Sequence, residues 1–351
     1  MKFLKKDFYI FRLFLICFPV LIFISSCVEN VPPVSTPPDN NIREWKFAYM
    51  SDNKDAHNAS GINDTTVKRF AEDMKQQGLS ILLVGGDLID GRGNDVPGLN
   101  AQYSEWFKAM QPVYDSGISV YAVPGNHEYW GKVADDCVTA WNESVLPRLP
   151  KEREDNPKYT GREYSFKFEN AFFIGLNQNW AEKGDYIPNY YAGNNVDWIK
   201  STLDSRDKKK QPHLFVYGHM PQFMNQYSWE TDTDFNNREE FWNTIGKAGS
   251  KIYLTGHIHT YSRSLATTKD GLFSIHQIIV GSCGAGFENP PWDGVYAESY
   301  RIKGEYLNND YEGYMIATVK GPDVKLEWRY YKPDEGFKVG DTIAYIQTPM
   351  P

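Results

Sequence analysis

SILLVGGDLID, residues 80–90, is an unbroken apolar run that ends on two glycines and two acids. Apolar residues without polar alternation suit a strand covered on both faces. Glycines at its end allow a sharp turn and a close approach of backbone. The same grammar recurs at WKFAYMSD (45–52), VYAVPGNHE (120–128), HLFVYGH (213–219) and KIYLTGHIH (251–259). Each run delivers Asp, Asn, Glu or His just past a strand. Between the runs lie helical patterns: DTTVKRFAEDMKQQG (64–78), LNAQYSEWFKAMQPVYDSG (99–117), NNVDWIKSTLDSRDKKK (194–210) and NREEFWNTIGKAG (237–249). Their apolar spacing, N-terminal Asp, Thr or Asn and terminal glycines, or over 194–210 terminal cations, are helix signals. REYSFKFEN and AFFIGLN (162–177) read as a hairpin turning at Glu169 and Asn170. Strand-rich segments close the chain. The order predicts an α/β fold, with side-chain donors gathered at the carboxyl ends of strands.

The ordered set is D…GDxxD…GNHE…GH…GHxH, from Asp52 to His259. It resembles the calcineurin-like metallophosphoesterase superfamily over residues 43–332. The resemblance implies a four-layer sandwich of two mixed β-sheets flanked by α-helices. It implies two divalent metal ions, with Mn, Zn and Fe as candidates. Carried over residue by residue, Asp87 bridges the ions. Asp52 and His259 bind the first, and Asn126, His219 and His257 bind the second. His127 is the general acid, and Asp90 and Glu128 orient the ligands. The implied reaction is hydrolysis of phosphate mono- or diesters through a metal-bridging hydroxide.

Two departures from the family pattern matter. The first motif is normally DxH, but here it is Asp52-Asn53-Lys54. A protonated lysine is no metal ligand. Either Lys54 points into the site and holds a substrate phosphate, or Asp55 or His57 supplies the missing ligand, or the first ion binds weakly. GHIHTYSR (256–263) and VGSCGAG (280–286) resemble segments of purple acid phosphatases. Those enzymes carry Tyr at the end of GDxxY, where this chain has Asp90, so a ferric-tyrosinate centre is not expected. Arg263 in that segment is either a second phosphate contact or a structural residue. His57, His213 and His276 match no motif position.

The N-terminus is of another kind. A basic stretch and the apolar LFLICFPVLIFI precede Ile24-Ser25-Ser26-Cys27, which matches the lipobox of bacterial lipoproteins. Residues 1–27 are therefore read as a signal peptide and Cys27 as a lipidation site, anchoring the protein to a membrane of a bacterial cell envelope. Residues 28–42, rich in Pro and Asn, form a tether. Residues 333–351 carry no readable motif and are set aside as a C-terminal extension, a last strand with a loose end. The net charge of −8 argues against nucleic-acid backbones as partners. Cys137 and Cys283 are either a disulfide or buried thiols. Aromatic-rich stretches carrying Trp180, Tyr186, Tyr190, Tyr191, Phe223, Tyr227, Trp229, Phe287 and Trp292 suggest a nucleotide or sugar phosphate as small-molecule substrate, although most would serve loop packing. The competing function is a catalytically weak envelope lipoprotein that uses the same fold for binding or scaffolding.

Overall fold

The computed structural model describes residues 42–180, 191–223, 237–288 and 301–347. In chain order the first strands are β1 (Glu44–Met50), β2 (Ile81–Val84), β3 (Ser119–Ala122), β4 (Glu154–Asp155), β5 (Tyr164–Phe168), β6 (Ala171–Gly175), β7 (Asn179–Trp180) and β8 (Tyr191–Ala192). The later ones are β9 (His213–Tyr217), β10 (Ile252–Thr255), β11 (Tyr261–Thr267), β12 (Ser274–Val280), β13 (Arg301–Asn308), β14 (Gly313–Lys320), β15 (Asp323–Lys332) and β16 (Gly336–Ile346). The helices are α1 (Asp64–Met74), α2 (Val96–Ala109), α3 (Gln111–Asp115), α4 (Ala134–Ser144), α5 (Val196–Asp204) and α6 (Arg238–Lys247).

A six-stranded sheet has the order β16-β15-β14-β1-β2-β3, and an eight-stranded sheet the order β13-β11-β12-β10-β9-β6-β5-β4. Both are mixed. β1, β2 and β3 run parallel, as do β6, β9, β10 and β12. Every motif strand therefore belongs to a parallel set.

Side-chain alternation builds the layers. On β9, Phe215 and Tyr217 join the core between the sheets, while Leu214 and Val216 face α5 and α6. On β6, Phe173 points inward and Phe172 and Ile174 outward. Rings join the sheets: Phe47 of β1 lies 4.8 Å from Phe215 and 5.5 Å from Phe173. Each fully buried ring of this kind contributes roughly 2–3 kcal/mol. α1, α2 and α4 cover the other face of the first sheet through Val67, Phe70, Leu99, Trp106 and Trp141. The expected four layers are present.

Two expectations change. The helix read over 99–117 is two helices that break at Met110, because Pro112 cannot donate its amide to a continued ladder. Residues 336–346 are the expected last strand, but they belong to the first sheet rather than to an extension. They form β16, paired with β15 along its whole length. β16 also locks the two sheets together. Asp341 accepts from Tyr261 Oη at 2.8 Å and from Arg263 at Nε (2.8 Å) and Nη2 (3.1 Å). Arg263 also pairs with Glu305. Its guanidinium is thus committed to two carboxylates, and the phosphate-contact role considered for Arg263 is replaced by a structural one. Among the described residues no helix is long and apolar enough to cross a membrane.

Asp341→Ala leaves a nearly buried guanidinium half-satisfied. It is expected to lower stability by about 2 kcal/mol in urea denaturation. No change in the unfolding midpoint would mean that β16 docks without this clamp.

Candidate metal centre

The parallel strands end on one edge, and their next residues turn inward through strained backbone. Asp52, Asp87 and His257 have φ of 61°, 53° and 70°. Side chains rarely adopt this left-handed region, and such residues concentrate where geometry is functional. The neighbouring glycines are steric necessities. A Cβ on Gly125 would lie 2.3 Å from Asp87 Oδ1, and one on Gly256 would lie 2.3 Å from Asp52 Oδ2.

The structure brings the six predicted ligands into one cluster. Ligand atoms of Asp52, Asp87 and His219 lie within 4.8 Å of one another, all buried. His219 Nε2 is 3.3 Å from Asp87 Oδ1 and 2.8 Å from Asn126 Oδ1. His257 Nδ1 is 3.0 Å from the same Asn126 oxygen. Across Asp52, His259 Nε2 stands 3.7 Å from Oδ1. Asn126, His219 and His257 thus meet one another and Asp52 faces His259, while Asp52 also accepts from the His257 amide at 2.9 Å.

Metal fit is tested by the lone pairs. His219 Nδ1 faces the Gly85 carbonyl at 2.9 Å, and His259 Nδ1 faces the Gly286 carbonyl at 2.8 Å. Each Nδ1 therefore carries the hydrogen and leaves Nε2 as a lone pair aimed at the centre, the arrangement usual for metal-binding histidines. His219 Nε2 and Asn126 Oδ1 then meet lone pair to lone pair, which a cation between them makes favourable. Asp52 Oδ1 is buried with no hydrogen-bond partner. Burial holds both histidines down to about 3, in His259 helped by the Lys54 charge, so both are neutral. The donor set fits divalent metal.

The orienting residues are also in place. Glu128 accepts from the backbone N–H of Asp87 (2.8 Å), Leu88 (2.8 Å) and Gly125 (2.6 Å), tying two motif loops together. His127 Nδ1 donates to the Asp90 carbonyl at 2.6 Å, and Asp90 Oδ1 lies 3.4 Å from the same nitrogen. Lys54 points into the site. Its Nζ is 2.6 Å from His127 Nε2 and 3.7 Å from Asp87 Oδ2. Asp55 instead accepts from the His57 amide at 2.9 Å, and the His57 side is exposed. His213 is buried against the Gly321 carbonyl, and His276 faces Glu305. Cys137 and Cys283 are buried free thiols.

With this geometry in place, the family is decided by sequence. The profile described as calcineurin-like phosphoesterase matches residues 50–261, more than half of the chain. The chain belongs to the calcineurin-like phosphoesterase family. An acid phosphatase of Aspergillus ficuum is 25% identical over 165 residues, which are 43% of this chain and 26% of that protein. Among solved structures, a purple acid phosphatase from yellow lupin seeds has a TM-score of 0.62 at 17% identity, covering 86% of this chain and 54% of its own. PhoD gives 0.60 at 15% identity, covering 89% and 71%. A dimetal phosphatase from Danio rerio gives 0.52 at 12%, covering 87% and 99%. The chain thus spans about a quarter of the acid phosphatase and about half of the lupin protein. These likenesses match the four-layer fold.

Sequence reasoning missed the amides that hold the loops of this site. Gln178 accepts from Met220 N at 2.9 Å and donates to Met220 O at 3.2 Å, clasping the residue after His219. Gln277 of β12 accepts from the amides of Gln222 and Phe223. Asn53 accepts from Trp106 Nε1 and donates to the Cys283 carbonyl. A glutamine on a strand, as Gln277 is, reads as solvent-facing, and an amide in a loop, as Gln178 and Asn53 are, reads as a turn residue, so no sequence signal marked them. Of the aromatic stretches, Phe223 is buried against Trp242 and Phe287 is exposed. Tyr186, Tyr190, Tyr227, Trp229 and Trp292 lie outside the described residues, as does Cys27.

Metal should reveal itself in the pH dependence of stability. Burial, then the Asp87 charge, raises Asp52 and pushes Glu128 up to about 8. Such acids bind protons on folding, so their contribution falls as pH climbs towards the raised value. His219 and His259, with values depressed from 6.5, act in the opposite sense only below that value. Chelated protein is expected to lose thermal stability between about pH 6.5 and 8, on the order of 1 kcal/mol per pH unit per group. Added Mn or Zn should remove the slope. A melting temperature that rises across this window without metal would contradict the assignment.

Proposed function

We propose that this protein hydrolyses phosphate esters of small molecules at the Asp52–His259 centre. The observation that carries the reading is the placement of donors around the Asp87 carboxylate. Oδ1 faces His219, while Oδ2 faces Lys54 and His127. One side offers metal ligands, and the other offers a cation and an imidazole. Asp52 and His259 would hold one divalent ion and Asn126, His219 and His257 the other, with Asp87 shared. When bound, the ions supply Lewis acidity and lower the pKa of coordinated water towards neutrality.

The chain's own residues do the rest. Lys54 is a point charge within reach of a phosphoryl oxygen. Its ammonium donates to His127 Nε2, so the proton destined for the leaving oxygen sits between these two atoms rather than on His127 alone. The Asp90 carbonyl holds the imidazole through Nδ1, which fixes its tautomer. The nucleotide or sugar phosphate suggested by the aromatic stretches belongs to this proposal.

The purified protein with added Mn or Zn is expected to hydrolyse an aryl phosphate or an aryl phosphodiester and to hold near two equivalents of metal. His127→Ala should reduce kcat roughly 10²–10⁴-fold while retaining the metal. No turnover of either ester, with no metal bound, would favour the binding or scaffolding lipoprotein instead. The lipid on Cys27, and with it residence in a bacterial envelope, rests on the first 27 residues. Expressed from the full sequence in a bacterium, the protein should partition with membranes, and Cys27→Ala should release it. Equal partitioning of both forms would remove the anchor from the proposal.

A further inference from the structure

The loop after Asp87 and the turn after His127 are sewn together by backbone. Arg92 N donates to Asp90 O at 2.7 Å, Gly93 N to Trp130 O at 2.8 Å, and Lys132 N to Asn94 O at 2.6 Å. Gly91, at φ +67°, packs so tightly that a Cβ there would lie 2.3 Å from the His127 carbonyl oxygen. The stitching seats Trp130 against His127, with ring centroids 4.0 Å apart. The Arg92 guanidinium lies over the same indole, 5.0 Å from its centroid. Trp130 is half-buried and Arg92 exposed, so this pair forms the rim of the site on the His127 side.

Arg92 differs from the five arginines that the structure pairs with acids. Arg43, Arg69, Arg153, Arg263 and Arg329 each pair with a carboxylate. No described residue accepts a hydrogen bond from the Arg92 guanidinium. Stacking on an aromatic face orients the planar group without consuming its five N–H donors. Such a fork matches an oxyanion in bidentate fashion better than a lysine does. Asp90, two residues before Arg92, has its carboxylate turned towards His127 Nδ1.

We infer that Arg92, held on Trp130, binds a second oxyanion carried by the leaving alcohol of the substrate. The preferred esters are then those whose alcohol bears a carboxylate or a further phosphate. This inference rests on the phosphoesterase reading, because that reading places the leaving oxygen beside His127. Imidazole and guanidinium both contact the Trp130 indole, so Arg92 is the cation on this rim for the distal groups of an alcohol released at His127. The ion pair is exposed, so its strength is modest and salt-sensitive.

The test compares phenyl phosphate, carboxyphenyl phosphate and phenylene bisphosphate with wild type, Arg92→Ala and Arg92→Lys. The quantity read is the ratio of kcat/KM for each anionic ester to that for phenyl phosphate. Arg92→Ala is expected to lower this ratio roughly fivefold. Arg92→Lys should give an intermediate value, and high salt should shrink the wild-type preference. The ester with the larger ratio identifies carboxylate or phosphate as the preferred anion. Ratios unchanged by Arg92→Ala overturn the inference, whatever happens to the absolute rates. If wild type turns over none of the three esters, the phosphoesterase reading has failed. Calorimetric titration of carboxyphenyl phosphate then decides the inference alone. Roughly fivefold weaker binding to Arg92→Ala sustains it, and equal affinity overturns it.

Discussion

The structure depends on keeping the Asp87 carboxylate charged while it is 1% exposed. Burial raises its pKa, but the surroundings, with the imidazoles of His219 and His127, the Lys54 ammonium and the His127 backbone amide, outweigh burial and hold it well below the usual range. Removing an ionised carboxylate from water costs several kcal/mol unless partners surround it. The partners come from three strand ends, those of β1, β3 and β9, that are remote in sequence. The fold's main chemical task is thus to bring these ends to one edge. Glu128 shows how tightly this is done, since a single carboxylate takes amides from both the Asp87 and the Gly125 loops.

That edge exists because the two sheets are held in fixed register. The inward rings of β1, β6 and β9 interlock, with Phe166 and Phe173 stacked at 4.7 Å and Phe173 and Phe215 at 5.3 Å. At the other end of the sheets, Trp328 of β15 stacks on Tyr261 of β11 at 4.4 Å, beside the Arg263–Asp341 clamp. Close-packed aromatic layers resist sliding, because any shift forfeits many contacts at once. A slide between sheets would separate Asp52 and Asp87 of the first sheet from His219 and His257 of the second.

Lys54 changes the character of the centre relative to the DxH pattern. A histidine there would add a neutral lone pair. The lysine adds a compact positive charge 3.7 Å from Asp87 and occupies His127 Nε2. Part of the charge compensation of Asp87 is thereby built into the chain, and the imidazole that the family pattern makes the proton donor is tied to a second donor.

The ordered motifs determined the family, the four layers and the identity of the clustered residues. They could do so because a strand followed by glycine and a ligand residue is a local pattern with a local physical cause. β16 was legible only as a last strand, because an edge strand with one exposed face carries little apolar signal, and its partner is found only in three dimensions. The roles of Arg263, Gln178 and Gln277 were hidden for a related reason. Each depends on which groups meet it from other strands, and sequence records a side chain's chemistry without its partner. Lys54 marks the same boundary. Sequence showed that it is not a metal ligand, while only the folded chain decided that its ammonium would rest on His127 and Asp87, because those groups reach it across loops 33 and 73 residues away in the chain.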